Sequence, residues 1–200
     1  MTGAGAVAGG AGGTAGSTGA QRNELIAQRN EQIAQSIREL TANAVAALLA
    51  AGARDEALAR YIPARKTLIF TRKPVMVPVG RVWRLGVFLV DADATLYATG
   101  LTTRAIEPGR PAYQSQSAEV RRGYRAAAFA GRFDRGETVN FQTRVIEPDA
   151  ELLRASDGPL VLQGDRLMVR WTPSVDAATT PFDQYLRERV ALLAEPPEGA

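Results

Sequence analysis

Apolar residues recur every three or four positions between residues 21 and 51, which is the spacing of one face of an α-helix. The segment opens with a seven-residue duplication, RNELIAQ followed by RNEQIAQ, and Gly52 supplies a helix stop. The stripe predicts either a seam with a partner helix, as in a homo-oligomer, or an amphipathic helix that lies on its own domain. The apolar residues that would form the seam are Ile26, Ile33, Ile37 and Leu40.

The segments on either side of this pattern give the domain boundaries. Residues 1–20 consist mostly of Gly, Ala, Ser and Thr, which is typical of a flexible tail. Residues 54–61 read as one further helical turn or two, closed by Pro63. We therefore expect a tail over 1–20, an amphipathic helical segment over 21–61, an α+β domain over 62–194 and a disordered end over 195–200.

After Lys66 the apolar pattern changes to a period of two, which predicts strands. Turn residues separate the strands, and Gly164-Asp165 predicts a two-residue hairpin loop. The predicted strands are 67–71, 75–79, 81–90, 95–106, 137–146, 159–163 and 166–171, and the predicted helices are 117–129, 148–155 and 181–193. Together these elements predict an α+β fold with a mostly antiparallel sheet of five to seven strands, a long N-terminal helix, one middle helix and a C-terminal helix.

Composition removes most familiar catalytic chemistry, because the chain contains neither cysteine nor histidine. Disulfides, Cys/His zinc sites, thiolate nucleophiles and imidazole proton shuttles are therefore excluded. We expect no metal and no cofactor. The chain shows neither a run of about 20 apolar residues nor the pattern of a signal peptide, so we expect a cytoplasmic location.

The basic residues are nearly all arginine, since lysine occurs only at Lys66 and Lys73 among 24 Lys and Arg. A guanidinium group suits carboxylates and phosphates, although a net charge of +3 is also what solubility alone would require. The candidate anion-binding residues are Arg84, Arg104, Arg121, Arg122 and Arg125. Aromatic residues such as Tyr113, Tyr124 and Phe133 lie among the arginines, Arg110 included, and this interleaving is also seen in proteins that hold single-stranded nucleic acid.

Residues 87–96, VFLVDADATL, resemble motif I of the haloacid dehalogenase superfamily, an apolar strand followed by D-x-D-x-T. The resemblance implies that Asp91 would attack a phosphate, that Asp93 would act as acid and base, and that both would help to hold magnesium. The alternative is a polar turn between two paired strands, since aspartate is a common turn residue.

A second resemblance covers residues 55–200. It rests on GRVWRLGV at 80–87, TLYATG at 95–100, EPGRP at 107–111, the stretch from Arg121-Arg122 to Phe133, GETVN at 136–140 and EPPEGA at 195–200. Together these segments resemble a group of short, uncharacterised bacterial proteins of actinobacterial type, some of which are named glutaminase. The resemblance implies hydrolysis of glutamine, but the chain offers neither a Cys-His pair nor an S-x-x-K motif for that reaction.

The preferred hypothesis is a cytoplasmic, non-catalytic domain that binds a partner chain or a small anionic ligand. The first alternative is a hydrolase, either glutaminase-like or a magnesium-dependent phosphatase that uses Asp91 and Asp93. The second alternative is a weak binder of single-stranded nucleic acid.

Overall fold

The computed structural model describes residues 14–66, 71–109, 115–171 and 179–195. The helices of these residues are α1 (Thr14–Ala50), α2 (Gln116–Phe129), α3 (Ala150–Arg154) and α4 (Phe182–Ala194). The first strands are β1 (Glu56–Ile62), β2 (Arg65–Lys66), β3 (Thr71–Arg72), β4 (Val75–Leu85), β5 (Phe88–Val90) and β6 (Leu96–Ala98). The later strands are β7 (Leu101–Arg104), β8 (Thr138–Phe141), β9 (Arg144–Val145), β10 (Leu160–Gln163), β11 (Arg166–Arg170) and β12 (Thr179–Pro181). The strand predicted over 67–71 lies outside the described residues except for Thr71.

Seven strands form the main sheet, in the order β7-β8-β1-β4-β5-β6-β9. Its neighbouring strands are antiparallel except for β1 and β8, which run parallel. Strands β10, β11 and β12 form a second antiparallel sheet, and β2 pairs with β3. The predicted α+β class with a mostly antiparallel sheet is therefore confirmed.

Helix α1 begins at Thr14, within the segment over 1–20 that the sequence predicts as a flexible tail. Extending an existing helix costs far less than nucleating one, so a stretch of weak helix formers can continue α1. At the other end Gly52 adopts a φ of 58°, and the amide of Ala53 donates to the carbonyl of Leu48 at 3.0 Å. This left-handed glycine stops the helix where the sequence predicts. Among the described residues no helix is both long and apolar enough to cross a membrane.

The apolar stripe of α1 divides into two parts. Ile33 and Ile37 are buried in the main core, and Leu40 packs against that core. Ile26 is 47% exposed. Three residues of the predicted seam therefore pack on the protein's own domain. A partner helix remains a prediction, and of the four residues only Ile26 has a largely exposed side chain that could contact it.

The segment predicted as a short helix over 54–61 is instead strand β1, in the interior of the main sheet. Glu, Ala, Leu and Arg are good helix formers, which is why the local pattern misleads. Pairing with β4 on one side and β8 on the other satisfies the backbone of β1 and overrides this preference.

The single strand predicted over 81–90 is a hairpin, because the loop Gly86-Val87 joins β4 to β5. Gly86 has a φ of 67°, and a Cβ atom at this position would overlap the hydroxyl group of Tyr185. That hydroxyl accepts a hydrogen bond from the amide of Val87 at 3.0 Å. Glycine is thus required both by the turn and by the approach of α4.

Two apolar clusters hold the sheet to its helices. The larger cluster joins α1, β4, β5, β6, α3, the second sheet and α4, and it includes the fully buried Phe88 and Phe182. The smaller cluster joins α2 to β1 and β8, where Ala127 and Ala128 pack near Ala57. The small side chains allow α2 to approach the sheet closely, and this helix carries three of the candidate arginines.

Candidate anion-binding site

Asn140 lies at the centre of a polar network on the main sheet and is fully buried. Its amide nitrogen donates to Glu56 Oε2 at 2.7 Å and to the carbonyl of Ala57 at 3.3 Å. Its amide oxygen accepts from Arg84 Nη2 and, at 3.3 Å, from Thr102 Oγ1. A buried amide with its donors and acceptor satisfied fixes the side chains that it joins.

Strand register explains how these residues meet. Strand β8 places Asn140 beside Leu58 of β1, and Thr102 of β7 lies on the other side of Asn140. Strand β4 places Val82 opposite Glu56, and Arg84 follows two residues later on the same face. The network therefore crosses four adjacent strands.

Arg84 is held in one orientation by three acceptors. Its Nε donates to Glu56 Oε2 at 3.3 Å, and its Nη2 donates to Thr102 Oγ1 at 2.6 Å and to the amide oxygen of Asn140. A guanidinium group has five N–H donors. In the described part of the chain Nη1 of Arg84 donates no hydrogen bond, so its two N–H groups remain available.

Arg84 opens into a cavity of 390 Å³, which we name the arginine cavity. Four of the five candidate arginines line it, and Glu56 is the one carboxylate among its described lining residues. The lining residues are Glu56, Arg84, Thr102, Thr103, Arg104, Ile106, Arg121, Tyr124, Arg125 and Thr138. Because Glu56 is already paired with Arg84 at 3.3 Å, the remaining three guanidinium groups give the cavity a positive potential.

Among the residues that the structure describes, Arg104, Arg121 and Arg125 take part in no ion pair. Arg121 and Arg125 are also four residues apart on α2, where like charges face each other and destabilise the helix. An anion in the cavity would relieve this repulsion. Arg122 is not among the lining residues and pairs with Glu119 at 2.9 Å.

Tyr124 lines the cavity, but its ring belongs to the smaller core cluster. The ring centroid lies 4.9 Å from that of Phe141 and 5.3 Å from that of Tyr61. Phe133 packs against the same cluster. Tyr124 and Phe133 therefore pack in the core, which argues against their use for stacking nucleic-acid bases. Arg110 and Tyr113 lie outside the described residues.

A second cavity, of 670 Å³, adjoins the first and shares Glu56, Arg104 and Thr138 with it. We name it the balanced cavity, because four arginines and four carboxylates line it: Arg54, Arg81, Arg104, Arg135, Asp55, Glu56, Asp134 and Glu137. Arg81 lies between two of the carboxylates and pairs with Asp55 at 2.7 Å and with Glu137.

These ion pairs change the titration of the groups that form them. The hydrogen bond from Arg81 lowers the pKa of Asp55 below its ordinary value. The pKa of Arg81 rises, first because of the hydrogen bond to Asp55, with Glu137 adding to the effect. The ion pairs therefore hold Arg81, and the equal number of arginines and carboxylates leaves the lining of the balanced cavity without net charge.

Asp91 and Asp93 lie in the turn between β5 and β6. Asp91 Oδ1 accepts from the amides of Asp93 at 3.1 Å and Thr95 at 2.8 Å, and Oδ2 accepts from the hydroxyl of Tyr97 at 2.8 Å. Both carboxylate oxygens thus hold the turn, as the alternative interpretation of D-x-D-x-T predicts. Asp93 is exposed, and neither aspartate lines the two cavities.

The turn also changes the pKa of the Tyr97 hydroxyl. Burial raises the pKa of Tyr97, and the adjacent Asp91 carboxylate raises it further because a phenolate would be repelled there. The contact is therefore a stable one between a neutral phenol and a carboxylate.

Within the described ranges no three acidic side chains come together in a way that could hold a metal ion. Comparison of the chain with protein-family models, with curated proteins and with solved structures finds no match. The geometry and charge of the cavities are therefore what indicates a function.

Two residues of this site were not singled out in the sequence. Glu56 lies in the segment that was predicted as helical. Asn140 lies in a predicted strand between Val139 and Phe141, and all three are buried. A polar residue within an apolar strand is a signal for a buried hydrogen-bond network, but only the parallel pairing of β1 with β8 identifies its partners.

Proposed function

We propose that this protein binds a small anionic ligand in the arginine cavity and catalyses no reaction there. The observation that carries the proposal is the gathering of Arg84, Arg104, Arg121 and Arg125 around a cavity of 390 Å³, in which Glu56 is the one carboxylate that the described residues contribute. These arginines lie on β4, β7 and α2, so the fold brings them together from distant parts of the chain.

The cavity combines a fixed donor with adaptable ones. Arg84 is oriented by Glu56, Thr102 and Asn140 before any ligand arrives. Preorganisation of this kind reduces the entropy lost on binding. Arg104, Arg121 and Arg125 are exposed and can adjust to the ligand. Charge-assisted hydrogen bonds from guanidinium groups to a carboxylate or phosphate are among the strongest polar contacts in proteins.

The volume favours a small ligand over a macromolecule. A cavity of 390 Å³ lies at the low end of the range typical of small-molecule sites. Tyr124, the aromatic residue of the lining, is engaged in the core and supports base stacking poorly. A small anion therefore fits the cavity better than a nucleic-acid strand.

Calorimetric titration with inorganic phosphate at low ionic strength tests the proposal. Arg125→Gln should weaken binding by about tenfold or more, because one charge-assisted hydrogen bond is worth roughly 1.5 to 3 kcal/mol. Arg135→Gln is the matched control, since Arg135 lines only the balanced cavity, and it should leave the affinity unchanged. Equal losses in both variants would indicate a general charge effect and would contradict a specific site.

The hydrolase hypotheses are tested on the same protein. Ammonia release from glutamine, and hydrolysis of a generic phosphate ester with magnesium, should both stay at the background rate. A robust ammonia-releasing rate that Arg84→Gln abolishes would replace the binding proposal by an amidohydrolase. A magnesium-dependent rate lost in Asp91→Asn would support the phosphatase alternative.

A further inference from the structure

The arginine cavity carries more positive charge than one singly charged ligand would neutralise. Arg104, Arg121 and Arg125 have no ion-pair partner among the described residues. Arg84 contributes two further N–H groups through Nη1, although Glu56 offsets its charge. The uncompensated charge of the lining is therefore about three, and bringing such groups together without a counterion is unfavourable.

We infer that the arginine cavity selects a doubly charged phosphate monoester over singly charged anions, an inference that rests on the proposed function. A phosphate monoester near neutral pH carries a charge of about −1.5 to −2 and presents three acceptor oxygens. Three oxygens can accept from three separate arginines while Arg84 Nη1 orients the group. A carboxylate has two oxygens and one charge, so it satisfies fewer of these donors.

The charge on each phosphate group also distinguishes a phosphate monoester from the phosphodiester backbone of a nucleic acid. Each internal phosphodiester carries one negative charge, and its two bridging oxygens leave only two charged oxygens to accept hydrogen bonds. A strand therefore gains affinity by spreading over many basic residues. Here three arginines without an ion pair among the described residues line one small cavity. The adjoining balanced cavity, lined by as many carboxylates as arginines, offers a continuing strand no net positive charge.

The composition of the chain makes the charge preference measurable through pH. The sequence contains no histidine and no cysteine, the side chains whose ordinary pKa values bring a charge change closest to neutrality. The cavity is lined by arginines together with Glu56 and Tyr124 as its other ionisable side chains. A change of affinity between pH 5 and 8 therefore reports mainly the second ionisation of the ligand, whose pKa is about 6.

The experiment compares glycerol 2-phosphate with sulfate by calorimetric titration at pH 5 and pH 8 and constant ionic strength. Sulfate stays doubly charged throughout this range, so its affinity should not change with pH. The dianionic fraction of the phosphate ester rises from about one tenth to nearly all, so its affinity should rise by about tenfold. Any titration of the protein itself would alter the sulfate affinity as well and would reveal itself in that control.

Two variants and one further probe separate the possible outcomes. Arg121→Gln should weaken both dianions and reduce the ratio between dianion and monoanion affinities, whereas Arg135→Gln should leave this ratio unchanged. Acetate should bind at least tenfold more weakly than sulfate. Equal affinities for acetate and sulfate, with loss of both in Arg121→Gln, would overturn the dianion preference and leave the proposed function standing.

Failure of the proposed function has a different signature. No heat of binding for sulfate, phosphate ester or acetate at low ionic strength would overturn both the function and the preference. Tight binding of an oligonucleotide without terminal phosphates, unaffected by pH between 5 and 8, would overturn the preference in favour of a phosphodiester ligand.

Discussion

The two adjoining cavities contain the same number of arginines and yet differ in the chemistry that they offer. Each is lined by four arginines, and Arg104 belongs to both. In the described part of the chain four carboxylates line the balanced cavity, whereas Glu56 is the single carboxylate of the arginine cavity. The comparison shows that an arginine-rich composition does not make an anion site; the placement of the carboxylates decides which arginines stay available.

Arg81 and Arg84 illustrate the difference on a single strand. They are three residues apart on β4, so they point to opposite faces of the sheet. Arg81 meets two carboxylates, and Arg84 meets one carboxylate and two neutral oxygens. A neutral acceptor orients a guanidinium group without cancelling its charge.

The largest expected effect comes from removing the centre of the network beside the arginine cavity. Asn140→Leu should lower the free energy of unfolding by about 3 kcal/mol, because it removes the hydrogen bonds that this fully buried amide makes with the charged side chains of Glu56 and Arg84 and with the carbonyl of Ala57. Urea unfolding measures this change. Thr102→Val, which removes the hydroxyl of an exposed residue, should cost less than about 1 kcal/mol. If Asn140→Leu lowered the free energy of unfolding by less than about 1 kcal/mol, the network would not be what stabilises this site.

A smaller effect is expected from unbalancing the balanced cavity. Glu137→Gln removes one of the two partners of Arg81 and should cost about 1 kcal/mol, since the Arg81 side chain is 51% exposed and solvent screens the pair. Loss of this negative charge should also give that cavity measurable affinity for sulfate, because its arginines then outnumber its carboxylates. Glu147→Gln, at an exposed residue with no ion pair in the described part of the chain, is the control. Unchanged sulfate binding in Glu137→Gln would contradict the role given to the carboxylates.

The pH dependence of stability should distinguish Asp55 from an ordinary surface aspartate. Its pKa is lower in the folded state than the ordinary 3.8, because it accepts a hydrogen bond from Arg81. The stabilisation is therefore present above pH 3.8 and is lost as the pH falls through the folded-state value. Urea unfolding between pH 5 and 2.5 should show a steeper loss in the wild type than in Asp55→Asn. Parallel curves would indicate that the ion pair adds nothing to stability.

The smallest effect has the opposite sign. Arg125→Gln should raise the stability of the ligand-free protein by about 0.3 kcal/mol, because it removes the repulsion from Arg121 one helical turn away. Arg125→Lys keeps the charge and should leave stability unchanged. Thermal unfolding without added anions measures both variants, and addition of sulfate should stabilise the wild type more than Arg125→Gln. A ligand-free loss of stability would show that Arg125 has a structural role instead.

Much of the fold could be predicted because its signals are local. Helix α2 is predicted over 117–129 and observed over Gln116–Phe129, and the Gly164-Asp165 hairpin lies where two residues of turn chemistry place it. Strand β1 was missed because its residues favour a helix and only its two neighbouring strands make it extended. The turn at Gly86 was missed because apolar alternation continues across it, although the glycine itself was a signal.

The candidate site shows the same division between local and distant information. Arginine chemistry and residue type identify Arg84, Arg104, Arg121 and Arg125, which do line one cavity, and also Arg122, which does not. Because successive residues of a helix point in different directions, Arg122 pairs with Glu119 and does not line the cavity with Arg121. The role of Asn140 depends on a hydrogen bond to Glu56, a residue 84 positions earlier in the chain, and no local pattern contains such a pairing.

The sequence by itself determined which chemistry this protein lacks, because a chain without histidine and cysteine has no imidazole and no thiol group. Recognition therefore depends on guanidinium, carboxylate, amide and hydroxyl groups. It also determined the α+β class, because hydrophobic periods of 3.6 and 2 and the turn residues between them are encoded within a few positions. Only the tertiary structure decided which arginines keep their charge available. Strand order and register bring two carboxylates to Arg81, one carboxylate and two neutral oxygens to Arg84, and no ion pair among the described residues to Arg104, and that arrangement follows from packing the whole sheet.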